Sequence, residues 1–114
     1  MVALVVEVGN WQPGPDLRAK AHWWLTHTSA REVLLIQVRE QWAEIYRRDD
    51  PNEAAQVIYY GNCTGLGQCV LELSLVNIFA GKERVLATLE EKHEDFMLRI
   101  DLYNVKKAVD GWFE

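Results

Sequence analysis

Two apolar runs flanking an amphipathic stretch constrain this chain more than any other feature in it. Val2 to Val8 is nearly all β-branched or aliphatic and stops at Gly9-Asn10, and Val33-Leu34-Leu35-Ile36-Gln37-Val38 is interrupted only by Gln37. Apolar runs of this length, closed by a turn signal, read as strands buried on both faces. Between them, Trp11-Gln12-Pro13-Gly14-Pro15 is a cluster of breakers. Pro15-Asp16 then opens a helix, because proline is tolerated in a first turn and an early Asp suits the positive end of the dipole. From Asp16 to His27, the positions Leu17, Ala21, Trp24, Leu25 and Thr28 recur on one helical face. Strand, helix and strand in this order spell a right-handed crossover between parallel strands.

The rest of the chain reads less sharply. Trp42-Ala43-Glu44-Ile45-Tyr46-Arg47 alternates apolar and polar residues, the pattern of a half-exposed antiparallel strand. Asp49-Asp50-Pro51-Asn52 reads as a turn. Ala55 to Tyr60 and Gln68 to Leu75 read as further strands around Gly61-Asn62. Gly61 to Gly67 lacks the spacing and lysine of a phosphate-binding loop and reads as a hairpin turn. Lys82 to Asp95 reads as a short helix or ordered excursion, and Phe96 to Ile100 as a last strand. Asp101-Leu102 then begins a terminal helix with Val105, Ala108, Val109 and Trp112 on one face.

A length of 114 residues fits one domain, 1–114. Hydrophobic residues make up 49% and charged residues 25%, which excludes a disordered chain, a collagen or a coiled coil. No apolar run approaches the roughly 20 residues of a membrane span. The opening Met1 to Val6 has no basic start and meets Glu7 at once, unlike a signal peptide. The expectation is an intracellular protein, cytoplasmic or nuclear, with no membrane partner. Cys63 and Cys69 are then expected as reduced, partly buried thiols, with a disulfide closing so small a loop as the sterically open alternative. His22, His27 and His93 stand at no zinc-like spacing to them. Twelve Lys+Arg against seventeen Asp+Glu give a net charge of −5. Such a chain does not grip nucleic acid by bulk electrostatics, although a local basic patch stays open.

Three residues form the candidate catalytic constellation: Glu7, Asp16 and Lys20. Glu7 stands near the carboxyl end of an apolar strand, where a carboxylate is costly without a partner and where α/β sheets build their sites. Asp16 and Lys20 are one turn apart on the next helix. Folding that helix back over the sheet brings Lys20 towards Glu7. A hard carboxylate for Mg²⁺ with a lysine beside it is the minimum for metal-assisted phosphodiester hydrolysis, although such a site normally wants two carboxylates. The plainer reading makes Glu7 a strand-end cap and Asp16–Lys20 a solvated surface pair. Among the five tryptophans, Trp24, Trp42 and Trp112 read as core, while Trp11 and Trp23 stay open, since an exposed Trp can stack on bases.

Val5-Val6-Glu7-Val8-Gly9-Asn10, then Asp16-Leu17-Arg18-Ala19-Lys20-Ala21-His22-Trp23-Trp24-Leu25, then Val33-Leu34-Leu35-Ile36 resemble the core of a restriction-endonuclease-like family in the PD-(D/E)XK superfamily. The pattern is similar to fungal proteins with V-E-V-G-x-S … L-R-x-D-A-x-W-W-L, and behind them to a bacterial family, abundant in cyanobacteria, with E-V … D-x-x-x-K. The match covers about the first 40 residues. The resemblance implies an α/β fold with a restriction-endonuclease-like mixed sheet, a crossover helix and a C-terminal helix, truncated at the N-terminus. It implies catalytic Glu7 and Lys20, with Glu7 and Asp16 on Mg²⁺ and DNA as the substrate. Two departures are plain. The superfamily's lysine two residues after the Glu is Gly9 here, with Lys20 in its place as in the bacterial relatives. The first metal-binding Asp, on a strand before Glu7, is missing unless Glu32, Glu44 or Glu72 substitutes. The implied function is a nuclease-like domain, degenerate or inactive in this chain. The alternative is a non-catalytic interaction module that self-associates, for example as a homodimer.

Overall fold

Both apolar runs form strands and the stretch between them forms a helix. β1 (Leu4–Gly9), α1 (Gly14–His27) and β2 (Glu32–Gln37) make a crossover in which β1 and β2 are parallel, with Glu7 opposite Leu35 and Gly9 opposite Gln37. The computed structural model describes residues 3–82, 84, 86, 87 and 97–112. α1 starts after an extended Pro13 and carries Asp16 in its first turn, as its sequence dictates. It ends where Thr28 leaves helical geometry and turns its backbone N–H and hydroxyl onto the Trp24 carbonyl.

β3 (Trp42–Arg47) and β4 (Asp50–Ile58) continue the sheet as an antiparallel meander, giving the order β1-β2-β3-β4. β5 (Val70–Ser74) and β6 (Met97–Asp101) form a separate antiparallel pair, with the single turn α2 (Leu75–Ile78) after β5 and α3 (Leu102–Trp112) after β6. The protein is therefore a mixed α/β fold around a mixed four-stranded sheet. One face of that sheet buries Val33, Leu35, Trp42 and Tyr46 against Leu17, Ala21 and Leu25 of α1. The other buries Leu34, Ala43 and Ile45 against Leu71 and Leu73 of β5, Ile78 of α2 and Leu102 of α3. Each buried Val, Leu or Ile side chain among these contributes about 1.5–3 kcal/mol by leaving water. No described helix is long and apolar enough to cross a membrane.

Several expectations need correction. β1 is not buried on both faces: among the described residues it pairs only with β2, and as an edge it leaves Val6 and Val8 50% and 58% exposed. β3 is the reverse. Between β2 and β4, with α1 on one face and β5 on the other, five of its six residues are buried. Its alternation reflects Glu44, which is buried because Arg18 meets it. The turn expected at 49–52 falls earlier, at Arg48-Asp49, and Asp50-Pro51-Asn52 already belongs to β4. Proline fits there because an edge strand has one unpaired side.

Nor is Gly61 to Gly67 a hairpin turn. β4 and β5 lie in different sheets, and a 3-10 turn at Tyr60–Asn62 carries the chain between them. The Gln56 side chain bridges the gap: its amide donates to the Glu72 carbonyl and its oxygen accepts from the Glu72 N–H. Within this connection Cys63 and Cys69 are joined as a disulfide, not held as free thiols. Gln68 Oε1 accepts from the backbone and hydroxyl of Thr64, closing the loop and setting the two Cα atoms 6.2 Å apart, a span a disulfide bridges. The reading of Lys82 to Asp95 falls mostly outside the described residues, as do Val2 and Phe96.

Candidate functional site

Glu7 faces α1, near the carboxyl end of β1, and its Oε1 accepts a hydrogen bond from Trp24 Nε1 at 3.0 Å. Trp24 is thus only half in the core, and its indole N–H supplies the partner that a carboxylate on a sheet face requires. Two residues on, Gly9 explains why no lysine stands at that position. A Cβ there would lie 2.8 Å from Leu17 Cδ1, so the start of α1 packs against bare backbone. Asp16 is exposed in the first turn of α1.

Lys20 lies between Leu17, which meets Gly9, and Trp24, which meets Glu7. It shares a flank of the helix with Trp24 at one turn's distance. The helix that carries Asp16 and Lys20 therefore covers the sheet face that carries Glu7. The Lys20 side chain is exposed, and among the described residues no ion pair joins it to Glu7 or Asp16.

The other carboxylates are committed. Strand register places Glu44 nearest, because Leu35 pairs with Glu7 on one side and with Glu44 on the other. Two strand spacings put their backbones about 10 Å apart on one face. Arg18, however, reaches down from α1 and donates to both Glu44 oxygens, at 2.9 and 3.1 Å, and the Tyr46 hydroxyl donates at 3.1 Å. The Glu44 hydrogen bond holds the Arg18 pKa above its usual value, and burial followed by the Glu44 charge does the same for the Tyr46 hydroxyl. Glu32, fully buried on the opposite face, accepts from Arg47 Nε at 2.9 Å and from the Ser74 N–H at 3.2 Å. Burial raises its pKa against the opposing pull of Arg47. Glu72 is on β5, in the second sheet, 3.7 Å from Arg99.

Among the described residues, no three His, Cys, Asp or Glu side chains gather as a metal-binding group. Glu7 and Asp16 have the hard oxygen chemistry that Mg²⁺ takes, and one or two carboxylates suffice when waters and substrate phosphates complete the shell.

The chain matches no family model, and no curated protein or solved structure matches it significantly.

Gln37 and Arg39, to which the sequence pattern assigns no role, complete this end of the sheet together with Trp11, which that pattern leaves open. Gln37, only 2% exposed, donates through Nε2 to the Asn10 and Gln12 carbonyls, both at 3.2 Å. Its Oε1 accepts from the Arg39 and Glu40 N–H groups, at 2.7 and 2.8 Å. One amide thus ties the β1–α1 loop to the β2–β3 turn. Trp11 and Arg39, one from each loop, stack with the guanidinium carbon 3.1 Å from the ring centroid. The one signal for this arrangement in the sequence is the single polar residue inside an apolar strand. Trp23 is half exposed on α1 and stacks on His27.

Proposed function

We propose that this chain is a restriction-endonuclease-like domain whose chemistry is metal-dependent hydrolysis of DNA phosphodiesters, in a degenerate form with a reduced metal site. One observation carries the reading: Glu7, at the carboxyl end of β1, is gripped by Trp24 of the same helix that presents Asp16 and Lys20. In this reading Glu7 and Asp16 hold Mg²⁺, which supplies Lewis-acid activation of water and phosphate. Trp24 fixes the Glu7 carboxylate, and Lys20 meets the charge that develops on phosphate oxygens. The commitment of Glu44 to Arg18, and of Glu32 to Arg47 and the Ser74 N–H, supports the degenerate form, since each carboxylate has both oxygens engaged within the fold.

Supercoiled plasmid with Mg²⁺ or Mn²⁺ tests this, comparing the natural chain with Glu7→Ala and Lys20→Ala. Slow nicking that both substitutions abolish is the expected result. Nicking indifferent to both sinks the assignment.

A second reading has its own support. The β1 edge exposes Val6 and Val8, and Val8 lines an apolar cleft of about 350 Å³ with Ile36, Val38 and residues of α3. An open edge beside apolar surface is the feature of a self-associating module. Sedimentation showing a strict monomer at micromolar concentration removes that reading.

A further inference from the structure

We infer that β1 is a dimerisation seam: two copies pair their β1 strands antiparallel about a two-fold axis at Val6, joining two four-stranded sheets into one. This inference rests on the self-association reading above and deepens it by naming the partner, the edge and the register.

The two edges of the sheet are built differently. β4 carries the features that keep an edge single: Asp50, Pro51 and Glu53 along it, and register shifts against β3 on both sides of Tyr46. β1 has neither lysine nor proline, and it runs in unbroken register with β2. Its one charge, Glu7, lies on the α1 face, where Trp24 holds it. Exposed apolar side chains gather at this same edge. Val6 and Val8 are exposed on one face, and on the α1 face Trp23 lies half exposed against Trp24. Beside Val8, the apolar cleft opens between the sheet and α3.

Backbone direction then fixes the pairing. The Ala3 and Gly9 carbonyls accept from N–H groups on the β2 side, those of Arg31 and Val38. Alternate residues of a strand turn their backbone groups to the same side. Residues 3, 5, 7 and 9 therefore bond towards β2, and Leu4, Val6 and Val8 turn their N–H and C=O groups outward. An antiparallel partner exchanges both bonds between such directly opposed residues. With the axis at Val6, each Val6 meets the other, and Leu4 of one copy meets Val8 of the second. Every outward residue of the row is then paired, and apolar side chains face one another along the seam. An axis at Leu4 or at Val8 leaves part of the row unpaired. On the α1 face Glu7 comes opposite Val5, so no carboxylate stands directly opposite another.

Symmetry selects one second copy over a chain of copies. β1 on β1 is isologous and closes at two subunits, with the guarded β4 edges outermost, whereas β1 on β4 is open-ended.

Sedimentation of the natural chain at micromolar concentration, with Val6→Lys and Val6→Pro beside it, is the test. The natural chain should be a dimer. Val6→Lys sets two ammonium groups opposite each other and should weaken the dimer by about tenfold or more. Val6→Pro deletes an N–H that points away from β2, so it should abolish the dimer and keep the fold. Far-UV circular dichroism and urea midpoints check that both variants are folded. Val6→Cys, a small change at an exposed site, reads the register directly. Opposed Cα atoms about 5.5 Å apart are within reach of a disulfide, so mild oxidation should give a covalent dimer on non-reducing electrophoresis. Val57→Cys, exposed on β4, should not cross-link. A natural chain that stays monomeric overturns the seam and the self-association reading together, and leaves the edge to a foreign strand. A dimer indifferent to Val6→Lys, with cross-linking no better at position 6 than at position 57, overturns the seam alone.

Discussion

Gln37→Leu isolates what one buried amide does in an otherwise apolar strand. The change keeps strand register and volume but deletes two donated and two accepted hydrogen bonds. At a net value of about 1 kcal/mol each, these are worth about 4 kcal/mol. Leucine offsets about 1–2 kcal/mol of that through its own burial. The freed loop groups lie near the surface and recover part of their bonding from water. The expected loss is about 2–3 kcal/mol, large against the about 5–15 kcal/mol that stabilise a typical domain. With a urea slope of about 1–3 kcal/mol per molar, the unfolding midpoint should fall by about 1 M or more. Equilibrium unfolding followed by far-UV circular dichroism measures it, with indole emission as a second probe. A loss below about 0.5 kcal/mol, the scale of an ordinary surface change, refutes the claim that Gln37 organises both loops. Gln37→Glu sharpens the point. It keeps the acceptor but aims a carboxylate at the Asn10 and Gln12 carbonyls, so its loss should exceed that of leucine at neutral pH and shrink on acidification.

Tyr60 and Glu32 give two pH predictions of opposite range. Burial, with Asp110 adding to it, pushes the Tyr60 hydroxyl from 10.0 up to about 12. The folded chain therefore keeps the proton after the unfolded chain has lost it, and stability is intact below pH 10 and declines as pH rises towards 12. Tyr60→Phe should cost about 1 kcal/mol at neutral pH and remove an alkaline loss of about 1.4 kcal/mol per unit across that window. Equal alkaline sensitivity in both proteins contradicts it. Glu32 is also raised, by burial, above 4.5. Its contribution is full below that value and lost as pH climbs through its folded pKa. Urea unfolding of Glu32→Gln and the natural chain should thus diverge in favour of the natural chain as pH falls from 7 towards 4.5. A gap independent of pH argues that burial does not penalise the Glu32 carboxylate.

The first third of the chain is the most legible. The apolar runs, the breaker cluster and the spacing of Leu17, Ala21 and Leu25 are local patterns, and the parallel β1–α1–β2 unit follows from them. Strand exposure runs opposite to pattern at β1 and β3, because a continuous or alternating run describes side chains and not the neighbours a strand acquires. β1 is apolar yet an edge, and β3 alternates yet is central, since Arg18 neutralises its one buried acid. The β4–β5 link is hidden for a related reason. Turn residues at Gly61 and Gly67 mark where the chain bends, but not which sheet the next strand joins. At the candidate site, Glu7 and the helix bearing Asp16 and Lys20 are visible from spacing, whereas the Trp24 hydrogen bond and the Trp11–Arg39 stack are not.

By itself the sequence determined the elements of the crossover, because helical and strand periodicities are properties of neighbouring residues and survive any packing. Tertiary structure alone decided which carboxylates stay available and which ring remains in water. Glu44 is silenced by an arginine 26 positions away, and Trp11 meets an arginine from another loop. Those outcomes depend on the register of strands and the seat of a helix, and long-range contacts of that kind leave no period in the chain to be read.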